Sequence, residues 1–168
     1  MPEFILDTSF GVLMPLHGGG SSQMRWSDLD AFTQGYIEAL FFTENDPGTD
    51  MVAQRRAIRL NGAPDEMMEG SIPNGAGFSD LAPEALATIL ADCAKFKLAC
   101  VHIEPLMGAD GFPDEAQAGR DFWCTRNGHG CGFRDGDWLE PYASELTNAS
   151  MVFREVEPYL GDDGKIYL

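Results

Sequence analysis

Asp121 to Asp135 reads DFWCTRNGHGCGFRD, and the way this stretch folds decides how the whole chain is read. Asn127-Gly128 stands between two short runs, residues 122–126 and 129–133. Asn-Gly in that setting is the strongest local signal for a type I′ hairpin, because both turn residues must accept positive φ. Gly130 and Gly132 leave the second run with little side chain to pack, which points to a bulge or a close approach of backbone. Asp135-Gly136 then turns the chain.

Working outward, Leu139, Tyr142, Leu146, Ala149 and Phe153 recur at helical spacing, so a helix is expected at about 138–152. Beyond it, residues 156–160 and 165–168 flank Gly161-Asp162-Asp163-Gly164 and predict a second hairpin. On the N-terminal side, Leu86, Ile89, Leu90, Cys93 and Phe96 form one apolar face of a helix at about 82–99, with Ser79 or Asp80 as its cap and Pro83 in its first turn. Cys93 on that face reads as a small core residue. Residues 105–113 are loop-like. Leu29, Phe32, Tyr36, Ile37 and Leu40 define another helix at about 28–42, with Ser27 as N-cap and Asp28 and Asp30 in the first turn, where carboxylates suit the helix dipole. That helix stops at Asn45-Asp46-Pro47-Gly48. A short helix is expected from Met51 to Leu60, followed by a Gly-, Pro- and Asn-rich loop over 62–77. At the start, EFIL (residues 3–6) is a candidate edge strand, and HGGGSS (residues 17–22) a flexible connector. The expectation is an α+β protein, a small antiparallel sheet of two hairpins packed with about three helices. An N-terminal arm at 1–26 precedes a single domain at 27–168, which carries a loop-rich insertion at about 49–79.

The chain has 168 residues, 44% of them hydrophobic, with eleven Phe and three Trp. That is enough for one real core and argues against disorder. Its formal net charge is −16. A surface this negative repels phosphate backbones, so direct nucleic-acid binding is disfavoured and a charged partner should be basic. The charge also serves solubility. Imitation of DNA would need about one charge per 1.7 Å of axis. No segment is so dense: Asp28, Asp30, Glu38, Glu44, Asp46, Asp50, Asp65, Glu66 and Glu69 are scattered, and only the fold can bring them into register. Arg55, Arg56 and Arg59 are three of only eleven basic residues. Pairing with acidic neighbours is the economical reading; a contact point for an acidic partner is the alternative.

MPEFILDTSF lacks a basic n-region and a long apolar stretch, so no signal peptide is expected, and no window is apolar enough to span a membrane. The expected location is the cytoplasm, where Cys93, Cys100, Cys124 and Cys131 stay reduced. Cys124, His129 and Cys131 form C-x4-H-x-C. Zinc needs about four ligands; a fourth would have to come from Cys93, Cys100, His102 or His17. The spacing is not that of a zinc ribbon, and buried neutral thiols are the simpler reading. No metal and no cofactor are expected.

For acid–base chemistry, Asp121, Arg126 and His129 would share one side of the hairpin if its register allows; otherwise Arg126, Asn127 and His129 satisfy loop carbonyls. No Ser stands in a G-x-S-x-G elbow, and HGGGSS has neither the Lys-Ser/Thr of a phosphate loop nor a nucleophile elbow. Asp162-Asp163-Gly164 lacks the ligand spacing of an EF-hand.

The segments AGRDFWCTRNGHGCGFRDGDW (residues 118–138) and YLGDDGKIY (residues 159–167) resemble a family of small bacteriophage and prophage proteins. Its members carry a DFW-x-TRNGHG-x-GF-x-D segment, then a helix, then Y-x-GDDG. The two N-terminal helical stretches, DAFTQGYIEALFFTEND and FSDLAPEALATILADCAKF, are similar too. Cys124 and Cys131 depart from the family pattern, which has an aliphatic residue and Ala there, and the arm and residues 49–77 look like additions. The resemblance implies no activity. It implies a context, a phage or mobile-element gene expressed in a bacterial cytoplasm. The function expected is therefore an acidic accessory protein that binds and inhibits a basic surface of a host protein, such as a nucleic-acid-handling or defence complex of the CRISPR or restriction type. The rival is a small enzyme using His129, Asp121 and Arg126. Asp121, Trp123, Arg126, Asn127 and His129 are the candidate contact or active-site residues.

Overall fold

A computed structural model describes residues 12–15, 21–67 and 71–168. The chain is α+β, and the described residues form two compact units. One comprises the described residues within 1–28, 41–88 and 157–168; the other comprises residues 29–40 and 89–156.

In the first unit, β1 (Val12–Pro15) pairs antiparallel with β2 (Ser21–Met24), Val12 opposite Met24 and Pro15 opposite Ser21. Ser21 and Ser22 therefore belong to a strand, where a connector was expected. The EFIL edge strand and His17 to Gly20 lie outside the described residues. β3 (Asn45–Asp50) and β4 (Ile72–Asn74) pair in parallel. Parallel strands need a crossover, and α2 (Met51–Asn61) lies within it, between the two in sequence. Asp50 caps α2 by accepting the Ala53 N–H at 3.0 Å, and Gly62 ends it at φ 77°. Met51, Gln54 and Ala57 point inward at helical spacing. The GDDG turn closes β5 (Tyr159–Leu160) against β6 (Ile166–Tyr167), the C-terminal hairpin expected from the sequence. Ile166 also accepts the Ala82 N–H at 2.8 Å. Met51, Ile72, Phe78, Leu81, Leu86 and Ile166 are the buried centre of this unit.

The second unit is helical. It holds the first ten residues of α1 (Ala31–Thr43), α3 (Pro83–Ala99) from Ile89 onward, α4 (Glu115–Arg126) and α5 (Tyr142–Ser150). Asp30, not Ser27, caps α1, its Oδ1 accepting the Thr33 N–H at 2.7 Å; Ser27 sits in a preceding 3₁₀ turn. Neither Ser79 nor Asp80 caps α3. Both lie in a 3₁₀ turn at Phe78–Asp80, where the Asp80 carboxylate accepts the Gly77 N–H. Phe32, Tyr36, Phe96, Phe122, Trp123 and Phe133 are fully buried, and Phe96 stacks on Phe122 with ring centroids 4.2 Å apart. α1 and α4 cross with their backbones almost touching. A Cβ on Gly35 would run into the Ala116 carbonyl, and one on Gly119 into that of Phe32.

The central sequence expectation fails here. Residues 121–134 are not a hairpin: Asp121 to Arg126 form the last turns of α4, and residues 127–138 follow as a loop. Asn127 is the C-cap and Gly128 takes φ 70°, so Asn-Gly stops a helix where it was read as turning a hairpin. The described residues thus carry five α-helices and three two-stranded pairs, one of them parallel, in place of about three helices and one sheet of two hairpins. The last helix is also shorter than expected, and Leu139, assigned to its buried face, is 56% exposed.

Candidate functional site

α4 carries most of the candidate residues, and its helical twist separates them. Asp121 and Arg126 are five positions apart, so at about 100° per residue they project roughly 140° from one another. Each is buried in a separate network.

Arg126 is tied down on every side. Its Nη1 donates to Tyr36 Oη and to Asp92 Oδ2, both at 2.9 Å. Its Nε and Nη2 donate to the Arg154 carbonyl at 3.0 and 2.7 Å. The guanidinium lies 5.7 Å from the Phe122 ring centroid and 5.5 Å from that of Phe153. A buried guanidinium needs a carboxylate and acceptors for its fork, and all are present. Burial also raises the Tyr36 hydroxyl well above its ordinary value, so it stays protonated beside Arg126.

Asp121 faces another way. Its Oδ2 accepts the Trp138 Nε1–H at 2.6 Å, and its Oδ1 accepts the Gln117 side-chain N–H at 2.8 Å. Burial pushes its carboxyl up to about 6, against the lowering effect of those two hydrogen bonds. Gln117 also lines an open hollow of about 430 Å³ with Phe112, Asp114, Arg120 and Asp137. Arg120 there is engaged by Glu38, at 3.2 Å from Nε and 2.6 Å from Nη2. The hollow is thus rimmed by carboxylates with its one guanidinium neutralised, and Asp121 lies beneath it through Gln117. Neither the hollow nor the Trp138 bond was legible from sequence, because both depend on α4 being a helix.

Trp123 is fully buried, edge-on to Tyr36 at 5.2 Å. Asn127 is a tie: its side-chain N–H donates to the Trp123 carbonyl at 3.0 Å and its Oδ1 accepts the Val156 N–H at 2.8 Å. His129 is half-exposed, its backbone N–H bonded to the Cys124 carbonyl at 2.9 Å. Cys124 and Cys131 are joined as a disulfide with Cα atoms 5.6 Å apart, which overturns the reading of both as neutral thiols and removes them as thiolate ligands. Cys93 and Cys100 are free and buried. Burial holds the Cys93 thiol far above its usual range, and burial with the nearby Glu145 charge lifts Cys100 to about 11. Among the described residues no three His, Cys, Asp or Glu side chains converge as a metal site.

Of the three arginines in α2, Arg55 pairs with Asp80, as the economical reading expected. Arg56 and Arg59 have no ion-pair partner among the described residues. Comparison of the chain with family models, with curated proteins and with solved structures finds no match.

Proposed function

We propose that this chain is an acidic accessory protein of a phage or other mobile element that binds and inhibits a basic surface of a host protein. The target class would be a nucleic-acid-handling or defence complex of the CRISPR or restriction type. The charge carries this reading: −16 overall, with carboxylates outnumbering basic side chains in both compact units. Many of them are exposed, among them Asp135, Asp137 and Glu140 on one loop. Such a surface attracts basic grooves at range and repels phosphate backbones, so no direct nucleic-acid contact is proposed. No helix among the described residues is long and apolar enough to cross a membrane.

The phage family resemblance supplies the bacterial cytoplasm as the setting. Disulfides are rare in that compartment, so the Cys124–Cys131 bond speaks against this setting and only the resemblance speaks for it. The enzyme reading on His129, Asp121 and Arg126 has less support, because the helix turns Asp121 and Arg126 apart and the Arg126 hydrogen bonds are spent on structural partners.

The test is capture from a bacterial host lysate by the immobilised full chain, with mass-spectrometric identification. A basic protein retained at low salt and released as salt rises is the expected result. Retention only of neutral or acidic proteins, indifferent to salt, would sink the reading.

A further inference from the structure

The first unit contains a local reversal of the protein's charge. A cavity of about 270 Å³ is lined by Arg55, Ile58 and Arg59 from one face of α2, by Asp80, and by Asp163 and Lys165 of the C-terminal hairpin. Three of the chain's eleven basic residues meet there. The sequence builds this in two steps. Positions i, i+3 and i+4 of α2 put both arginines on one side of the helix, and the GDDG turn, with Gly164 at φ 76°, presents Lys165 to the same space.

Hydrogen bonding, more than charge alone, decides what the cavity suits. Both carboxylates already have their oxygens occupied. Asp80 Oδ1 is taken by Arg55 and its Oδ2 by the Gly77 N–H at 2.9 Å. Asp163 Oδ1 accepts the Lys165 N–H at 3.0 Å, and its Oδ2 accepts the Tyr167 hydroxyl at 2.9 Å. The cations, by contrast, keep donors in hand. Arg55 spends only Nη2 on Asp80. Arg59 has no partner among the described residues. Lys165 Nζ gives one hydrogen bond to the Ser79 carbonyl at 2.8 Å, which fixes its position and leaves its other protons. Guanidinium groups carry five N–H donors each and match the geometry of phosphate and carboxylate.

We propose that this cavity is a binding site for a compact oxyanion ligand, a phosphate- or carboxylate-bearing small molecule held by Arg55, Arg59 and Lys165. Its volume is just below the range of drug-sized pockets, about 300–1,000 Å³, which suits a small di- or trianion. The site is separate from the acidic surface invoked above and does not depend on it.

Isothermal titration calorimetry of the full chain with pyrophosphate and with citrate, each at matched ionic strength, tests it. At least one should bind saturably. The exposed Arg59→Ala change should weaken binding about tenfold or more, as loss of a charge-assisted pair does, and Lys165→Met should act likewise. Arg56→Ala removes the same charge one residue away, outside the cavity, and should leave the affinity within about threefold. Pyrophosphate alone binding assigns a phosphate ligand, and citrate alone a carboxylate ligand; either upholds the site. Absence of saturable heat with both up to the millimolar range overturns it, and so does Arg56→Ala weakening binding as much as Arg59→Ala.

Discussion

Replacing Arg126 by Met asks whether this buried guanidinium is structural or a spare functional group. Met keeps much of the aliphatic bulk between Phe122 and Phe153 and deletes all the polar contacts. The change leaves the Asp92 carboxylate without its cation and the Tyr36 hydroxyl and Arg154 carbonyl without their donor. Asp92 is largely shielded, its side chain 18% exposed against 4% for Arg126. Breaking a buried pair on one side costs about 3–5 kcal/mol. Asp92 retains some water, so the lower half of that range is expected. For a chain of this size roughly 3 kcal/mol corresponds to a fall in Tm of about 6–12 °C. Urea denaturation followed by tryptophan fluorescence measures the loss. Asp92→Asn alone should cost less, and the double variant should be more stable than the sum of the two losses allows, by about 1 kcal/mol, because the partners share one network. A loss below about 0.5 kcal/mol for Arg126→Met, the level of an ordinary surface change, would refute the structural assignment and return Arg126 to the functional candidates.

Other parts of the structure make equally direct predictions. Burial holds the Asp121 carboxyl up at about 6 in the folded state, above the ordinary aspartate value of about 4, so its protonated form is favoured by folding. Its contribution is fully present below about pH 4 and is lost as pH rises through 6, worth about 2–3 kcal/mol in all. Wild type minus Asp121→Asn stability, followed from pH 4 to 7, should therefore decline; a flat difference would contradict the burial. Asp121→Ala should lose about 1–3 kcal/mol by orphaning the buried Trp138 N–H. The Cys124–Cys131 disulfide closes a short loop, which chain entropy values at about 2–3 kcal/mol. Reductant should lower wild-type Tm and leave Cys131→Ser unmoved, and equal effects on both would sink the assignment. Gly35→Ala and Gly119→Ala should each cost about 2 kcal/mol or more by forcing α1 and α4 apart, whereas Gly130→Ala, with nothing near its Cβ, should be almost silent in the same thermal melts.

Much of the fold was legible where one signal dominated. Apolar spacing around Phe32 and Tyr36, and around Leu86 and Phe96, marked two helices within a few residues of their bounds, and Gly161 to Gly164 marked the C-terminal hairpin. DFWCTRNGHGCGFRD was misread because Asn-Gly serves two structures equally well, a type I′ turn and a helix C-terminus. The deciding information lay upstream. Asp114 caps α4 through the Gln117 N–H at 2.8 Å, and Ala118, Phe122 and Arg126 follow at i, i+4 and i+8. Gly119, a poor helix former, masked that pattern; it is there because α1 leaves no room for a Cβ. The hairpin reading also grouped Asp121 with Arg126, and the helix places them in separate networks. Helical twist parts Asp121 from Arg126, and a strand would have aligned residues at even spacing only. The cavity of Arg55, Arg59 and Lys165 joins segments about a hundred residues apart, and no local pattern connects them.

Engagement of a basic partner by the acidic surface would be electrostatic, so salt tests it directly. The most direct measurement is the equilibrium affinity of the full chain for the partner captured from host lysate, followed from about 0.05 to 0.5 M salt, a range over which the Debye length falls from well above 10 Å to near 4 Å. The dissociation constant should rise steeply and continuously with salt, about tenfold or more across the range. An affinity that does not change with salt would contradict the claim.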